Sequence, residues 1–394
     1  MGHESEMPRA YSNLHQMMSM TEPAISLLAA VCEIGPVLAT RAHDIERERR
    51  IPIDVVERLK AIGVYRLFVP RSHGGLELDF PAGLEILREV AKIDGSLGWT
   101  TMIALAGALF TPLLPRQTYD DVYRNGPNVI VAGSVQPIGT AELRCGVWHV
   151  SGRWPLVSAC QHADWLVGAC VVTEGGSLVP GSTRSFALPA SEWQIEDTWH
   201  SAGLKGTGSH HITIERVAVP EKNFFDSEKQ TSCVPGPLYK TLKLFIPLLH
   251  AAVSLGIAEA AFDDIVAIAK GGRQQEKATA PMRESEMFRS ELGRVDADLR
   301  AARAYFRDQV ARQWRHALTV SLDDATLHVE GVQSAIWVTN RCVQIADMCF
   351  SLGGAAALYD SSPLQRRMRD LHAAAQHPTV QMRRYVEVGT RLLS

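Results

Sequence analysis

Between Ser351 and His377 the chain reads SLGGAAALYDSSPLQRRMRDLHAAAQH: a Gly pair, a turn over Asp360 to Pro363, then a helix-forming run holding Asp370 and His377. Seven residues, two helical turns, separate those two side chains, which predicts that they share one face of a helix. Pro378 follows, and the residue before a proline is pushed out of the helical region, so His377 is expected at a helix end. The carboxyl end of a helix favours an imidazolium and sets its titration near neutrality, the range in which a side chain works as general acid or base. Asp370 is four residues from Arg366, the spacing of a helical ion pair, and His372 faces elsewhere on the same helix. No set of His, Cys, Asp and Glu has metal-ligand spacing, so no metal is expected.

Composition narrows what such a histidine could serve. A formal charge of −3 over 394 residues excludes a nucleic-acid surface or a polybasic membrane anchor, and 46% hydrophobic residues supply a sizeable core. The seven cysteines are scattered without a CxxC pair, as expected of reduced thiols in a cytoplasmic protein. The first 21 residues show neither a signal sequence nor periodicity and read as a disordered extension.

The periodicity changes twice along the chain. Residues 22–126 repeat at helical spacing, with Asp79 as an N-cap ahead of Pro81 and an apolar, small-residue helix from Ile93 to Phe110 that carries Trp99. Residues 127–222 switch to period two in short β-branched runs: Asn128 to Gly133, Val147 to Val150, Asp164 to Val172, Arg184 to Leu188, Trp193 to Ile195 and His211 to Val219. Residues 223–394 return to helical spacing. Leu292, Val295, Leu299, Ala302, Phe306, Val310 and Trp314 form the seam of a long bundle helix, and Ser321 with Asp324 reads as the cap of the next. The expected fold class is α+β, mostly α: a helical amino-terminal domain, a central β domain and a carboxy-terminal four-helix bundle.

That order and length resemble the acyl-CoA dehydrogenases, and five local sequences agree: VPRSHGGLELD (69–79), GRWPLVS (152–158), GLKGTGSHHITIERVAVPE (203–221), the pair Gly353 and Gly354, and RRMRD (366–370). One departure redirects the chemistry. Where those enzymes carry a carboxylate base, this chain reads AAAQHPTV, with no Asp or Glu between Asp370 and Glu387. His377 in that place, with TGS at Thr207 to Ser209 and SACQHADW at Ser158 to Trp165, resembles the two-component flavin-dependent monooxygenases of the same fold.

The resemblance implies an oxygenase component. It would take reduced FMN or FAD from a separate NAD(P)H-dependent flavin reductase and use O2 to hydroxylate a small aromatic, an indole such as indole-3-acetate or a phenol, through a flavin peroxide. It casts His377 and Ser158 as catalytic, Trp154, Ser158, Thr207, Ser209, Arg273, Gly353 and Gly354 as flavin-binding, and Trp99 as substrate-binding. A two-histidine site is not expected, because the helix around Trp99 holds no His. A homotetramer is implied by a Gly pair that in the family serves a neighbouring subunit's flavin. Two other readings stay open: an acyl-CoA dehydrogenase with a displaced base, and a non-catalytic flavin-binding scaffold.

Overall fold

Where the apolar period is 3.6 the chain forms helices, and where it is two it forms one sheet. The computed structural model describes residues 20–226, 231–240, 242–275, 278–319 and 325–393. The Ser321–Asp324 cap and the first 19 residues of the expected extension lie outside them. The first part holds α1 (Glu22–Ala39), α2 (Ala42–Glu48), α3 (Ile53–Ile62), α4 (Phe80–Ile93), α5 (Gly95–Phe110) and α6 (Arg116–Val122). Asp79 caps α4 as read from sequence, its Oδ1 accepting from Ala82 N at 2.8 Å. Asp94 caps α5, accepting from the amides of Ser96 and Leu97 at 2.9 and 3.1 Å.

The sheet has seven strands: β1 (Val131–Arg144), β2 (Val147–Val157), β3 (Trp165–Glu174), β4 (Ser177–Pro189), β5 (Gln194–Glu196), β6 (His210–Val219) and β7 (Phe224–Phe225). Their order is β5-β6-β2-β1-β3-β4-β7, with β1 and β3 parallel and the other neighbours antiparallel. Both β1 and β2 run well beyond the apolar runs that announced them. Backbone pairing, such as Thr140 with Ser151 and Glu142 with His149, carries them through polar residues whose pattern gives no strand signal.

Four long or medium helices close the chain as a bundle: α7 (Leu242–Lys270), α8 (Glu286–Leu318), α9 (Ala325–Gly353) and α10 (Pro363–Ala374), followed by α11 (Tyr385–Leu393). By length and apolarity α1, α5 with the turn that follows it, and α7 could cross a membrane; α1 is buried only in part, whereas the side chains of α5 and α7 are mostly inside the protein. Both belong to one apolar core that runs through the amino-terminal and carboxy-terminal helices alike, while the sheet keeps a second core around Trp154, Phe186 and Trp193. At the centre of the helical core Gly256 of α7 lets two backbones meet, since a Cβ there would run into the Arg88 carbonyl oxygen.

A buried ionic cluster crosses the same contact. The Arg88 guanidinium binds Glu85 at 3.0 Å and Glu259 of α7, and Glu259 also accepts from Arg303 of α8 at 2.9 Å. Burial opposes the charge on Glu259, yet the two arginines hold its carboxyl below the usual value. Removing one partner leaves buried charge uncompensated, so Glu259→Gln is expected to lower unfolding stability by about 3 kcal/mol in urea titrations. A loss under about 1 kcal/mol would mean the cluster does not hold α4 to the bundle.

Candidate active site

The segment after α10 departs from the helix-face expectation. The helix ends at Ala374, and His377 is extended (φ −65°, ψ 134°) at the head of a short 3-10 turn, Pro378–Val380. Asp370 and His377 therefore do not share a face. The Asp370 Oδ1 accepts from Leu204 N at 2.6 Å, and Arg366 points its Nε to Asp94, 3.8 Å away, so the expected Arg366–Asp370 pair is replaced. Burial first, and then Asp94, push the Asp370 carboxyl up. Asp370 thus docks α10 on the loop before β6. Gly203 allows it, because a Cβ there would strike the Arg369 carbonyl. His372 pairs with Asp347 at 2.8 Å.

His377 turns inward and meets a second imidazole. His250 of α7 stacks on it with ring centroids 4.2 Å apart and planes 27° from parallel. The Trp99 indole stands edge-on to both, 5.2 Å from His250 and 5.6 Å from His377. Burial pushes the His377 pKa down to about 4, and His250 lies well below its usual value, lowered by burial and then by His377. Both rings are neutral at pH 7, which corrects the expectation of a helix-end imidazole titrating near neutrality. Desolvation outweighs the helix end. His377 Nδ1 accepts from Thr379 N at 3.3 Å, which leaves its proton on Nε2. The Nδ1 of His250 is buried without a protein partner. A two-histidine site therefore exists, against the sequence reading. One His among Leu, Ala and Val on α7 carries no local mark of function, so the sequence alone does not reveal His250.

The two imidazoles line a cavity of ≈ 420 Å³ between α5, β1, β3, α7 and the turn after α10. Its wall is largely apolar, with Ile103, Phe110, Val131, Val167, Ile246 and Pro247, and no Asp or Glu is among the described residues that line it. Trp99 was expected to line it and does not; it backs the imidazoles from α5.

From Trp99 a chain of hydrogen bonds leads into the β domain. The indole N–H donates to Ser158 Oγ at 3.0 Å; Ser158 and Ser209 hydroxyls are 2.7 Å apart, as are those of Ser209 and Thr207; and Thr207 donates to the Leu204 carbonyl at 2.8 Å. One proton per hydroxyl sets the direction. Thr207 spends its proton on Leu204, so Ser209 donates to Thr207 and Ser158 donates to Ser209. Ser158, accepting from Trp99, keeps one lone pair and no proton. A register shift in β2 between Trp154 and Val157, with Leu156 at φ 59°, turns the strand just before this serine. The Ala159 amide ties the turn to the Thr207 carbonyl at 2.9 Å.

These residues fit a reduced flavin. A reduced isoalloxazine presents N–H at N5, which the remaining lone pair of Ser158 suits, whereas oxidised N5 would need a donor. Buried Gln161 Oε1, three residues after Ser158, has no protein partner and would be satisfied by a polar heterocycle. Trp154 does not join this set: it is fully buried in the sheet core, donating to the Ala169 carbonyl at 2.9 Å and packed edge-on against Trp193. That corrects its assignment to the flavin face. Gly353 and Gly354 end α9, and Arg273 is exposed in the loop after α7; Gln275 links the two places through the Leu352 carbonyl at 3.0 Å. They gather at the far end of α7, about 30 Å along its axis from His250, so within one chain they stand apart from Ser158 and His377.

Neutral burial of His377 has a pH consequence. Between its unfolded pKa of 6.5 and its folded value of about 4 the unfolded chain binds more protons, so stability is full above pH 6.5 and falls as pH drops through that window. Wild type is expected to lose about 3 kcal/mol more than His377→Gln between pH 7 and pH 4, read by urea denaturation. A difference that does not change with pH would contradict the burial of a neutral ring.

Over most of its length the chain is similar in fold and sequence to known proteins. Family profiles described as "Acyl-CoA dehydrogenase, N-terminal domain" and "Acyl-CoA dehydrogenase, C-terminal domain" match residues 34–116 and 248–382. An indole-3-acetate monooxygenase of Pseudomonas putida is 33% identical over 86% of this chain and 86% of its own. The flavin-dependent monooxygenase oxygenase subunit HsaA of Rhodococcus jostii is 30% identical over 90% of this chain and 95% of its own. XiaF from Streptomyces, solved with FADH2 and glycerol, superposes with a TM-score of 0.87 at 25% identity, covering 98% of this chain and 96% of its own. A neutral imidazole pair where dehydrogenases keep a carboxylate, beside a hydroxyl chain fitted to reduced flavin, agrees with that kinship: the chain belongs to the flavin-dependent monooxygenases of the acyl-CoA dehydrogenase fold.

Proposed function

We propose that this protein is the oxygenase component of a two-component system that hydroxylates a small aromatic substrate, an indole such as indole-3-acetate or a phenol. It receives reduced FMN or FAD from an NAD(P)H-dependent flavin reductase and uses O2, working in the cytoplasm as a homotetramer. The observation that carries this reading is the His250–His377 pair set in an apolar cavity with no carboxylate among its described lining residues and joined through Trp99 to Ser158. The names of the relatives support it: one acts on indole-3-acetate and another is an oxygenase subunit. The lack of a carboxylate in the described cavity lining also speaks against a dehydrogenase with a displaced base.

The chain's own residues divide the work. When bound, the reduced flavin supplies the electrons that activate O2 for transfer of one oxygen atom. Ser158 accepts the N–H of the reduced ring and so prefers the reduced to the oxidised form. The apolar wall excludes water, which guards against loss of H2O2 in place of product. His377, with its proton on Nε2, donates to oxygen, while the unpartnered Nδ1 of His250 is the acceptor for a proton leaving the substrate. The Gly pair and Arg273, remote from this site within one chain, suit the flavin of a neighbouring protomer in the tetramer, where a guanidinium binds phosphate.

The test supplies reduced flavin and O2 to the purified protein with indole-3-acetate or a phenol, and follows O2 uptake, product and H2O2 together. O2 uptake matched by hydroxylated product is expected. His377→Asn should lower product formation about 100-fold and divert the O2 to H2O2, the scale of losing one general acid. Anaerobic bleaching of bound oxidised flavin by an acyl-CoA, without aromatic hydroxylation, would sink the reading. Ser158→Ala should weaken binding of reduced flavin about tenfold and leave oxidised flavin nearly unchanged; equal losses for both would overturn the lone-pair argument.

A further inference from the structure

The hydroxyl chain behind Ser158 has two directions, and the Leu204 carbonyl selects between them. With the Thr207 proton on Leu204, Ser209 donates to Thr207, Ser158 donates to Ser209, and Ser158 is left with a lone pair. Were that carbonyl turned aside, Thr207 would be free to donate to Ser209 and Ser209 to Ser158. Ser158, accepting from Ser209 and from Trp99, would then present its proton instead. One peptide oxygen thus decides whether the serine suits reduced N5, which carries a hydrogen, or oxidised N5, which needs a donor.

That oxygen belongs to a strained residue. Leu204 is left-handed (φ 50°, ψ 38°), a conformation that its Cβ opposes, and its carbonyl also takes the Trp199 indole N–H and the Thr207 amide, each at 3.1 Å. The Leu204 amide donates to Asp370 Oδ1 at 2.6 Å, and Asp370 is 2% exposed. Helix α10 has other anchors: Arg367 donates to the Ile93 carbonyl at 3.1 Å, and Arg369 binds Glu46 at 2.8 Å and the Ala202 carbonyl at 2.6 Å. Asp370 is the side chain that grips Leu204. Its second oxygen is buried with no protein partner, and Asp94, the cap of α5, and Glu46 of α2 add negative charge that Arg366 opposes. A carboxyl so placed is costly as an ion and well suited to accept one N–H as a neutral acid.

We propose that Asp370 is a positioning residue for the redox state of the flavin: by gripping the Leu204 amide it keeps the Leu204 carbonyl on Thr207, fixes the direction of the hydroxyl chain, and makes the site favour reduced over oxidised flavin. The inference rests on the oxygenase reading and on Ser158 as the acceptor of the reduced ring's N–H. Such a preference suits a component that takes up flavin reduced and releases it oxidised. It also gives the segment after Gly354 a task at each end, with Asp370 setting the hydroxyl chain and His377 facing the cavity.

The full-length protein can be titrated with oxidised FMN or FAD and, anaerobically, with the same flavin reduced by dithionite, and the ratio of the two affinities compared across variants. Wild type is expected to favour reduced flavin about tenfold or more. Asp370→Asn keeps the accepting oxygen and should hold the ratio within about twofold. Asp370→Ala, and Asp370→Leu, which fills the same space without an oxygen, should lower it about tenfold, a fall of about 30 mV in the two-electron potential of bound flavin. Thr207→Val frees the Ser209 proton to turn to Ser158 while the Asp370–Leu204 bond stays; it should cause the same fall, and Asp370→Leu combined with it no further one. Equal weakening of both redox forms in Asp370→Leu, or a fall in Asp370→Asn as large as in Asp370→Leu, overturns the positioning role. Turnover separates the two proposals. A ratio that falls in Asp370→Leu as expected, in a protein whose O2 uptake is never coupled to aromatic product, refutes the oxygenase reading and leaves the role of Asp370 standing. A wild type that hydroxylates the aromatic yet binds both flavin forms equally refutes that role and leaves oxygenation standing.

Discussion

The hydrogen bond from the Trp99 indole to Ser158 spans the boundary between the two hydrophobic cores, and the site depends on it. Trp99 belongs to α5 in the helical core and Ser158 to the end of β2 in the sheet. The indole stands edge-on to the two imidazoles, and its N–H takes one lone pair of Ser158, the first hydroxyl of a chain whose direction is set at the other end by Thr207 donating to the Leu204 carbonyl. A phenylalanine would fill the space but remove the donor at the head of the chain. Ser158 would keep its bond to Ser209 but have a second open lone pair, so the one direction in which it accepts would no longer be fixed.

Positioning comes from a second joint. Asp370, buried and uncharacteristically basic for a carboxyl, takes the Leu204 amide and so locks α10 to the loop that carries Thr207 and Ser209. The same helix delivers His377 a few residues later. One short segment therefore sets both the hydroxyl chain and the imidazole. The Arg88–Glu259–Arg303 cluster keeps α4, and with it the amino end of α5, against α7, where His250 sits. Burial makes these charges costly to leave unpaired, and that cost is what gives the joints a single geometry.

Burial also decides the character of the histidines. An imidazole in water titrates near neutrality, but these two lie in an apolar wall that opposes a charged ring. Neutral rings offer one donor and one acceptor each, which suits proton movement around an oxygen transfer better than a fixed imidazolium would.

Much of the fold was written in hydropathy. Period 3.6, then two, then 3.6 announces helices, sheet and bundle, and the Asp79 cap and the α8 seam are visible as local patterns because each depends on neighbours within a few residues. Motif order carried the kinship, and the absence of Asp and Glu between Asp370 and Glu387 separated this chain from the dehydrogenases, again a strictly local fact. Contacts across long sequence separations were not legible. The tautomer of His377, the stacking of His250 on it, the removal of Trp154 into the sheet core and the separation of Arg273 and the Gly pair from Ser158 all depend on how α5, α7 and α10 pack against one another and the sheet. The sequence by itself determined which chemical groups the chain owns and which elements bear them. Tertiary structure alone decided which of them meet and whether they are charged, because desolvation and ring contact are properties of packing and not of order along the chain.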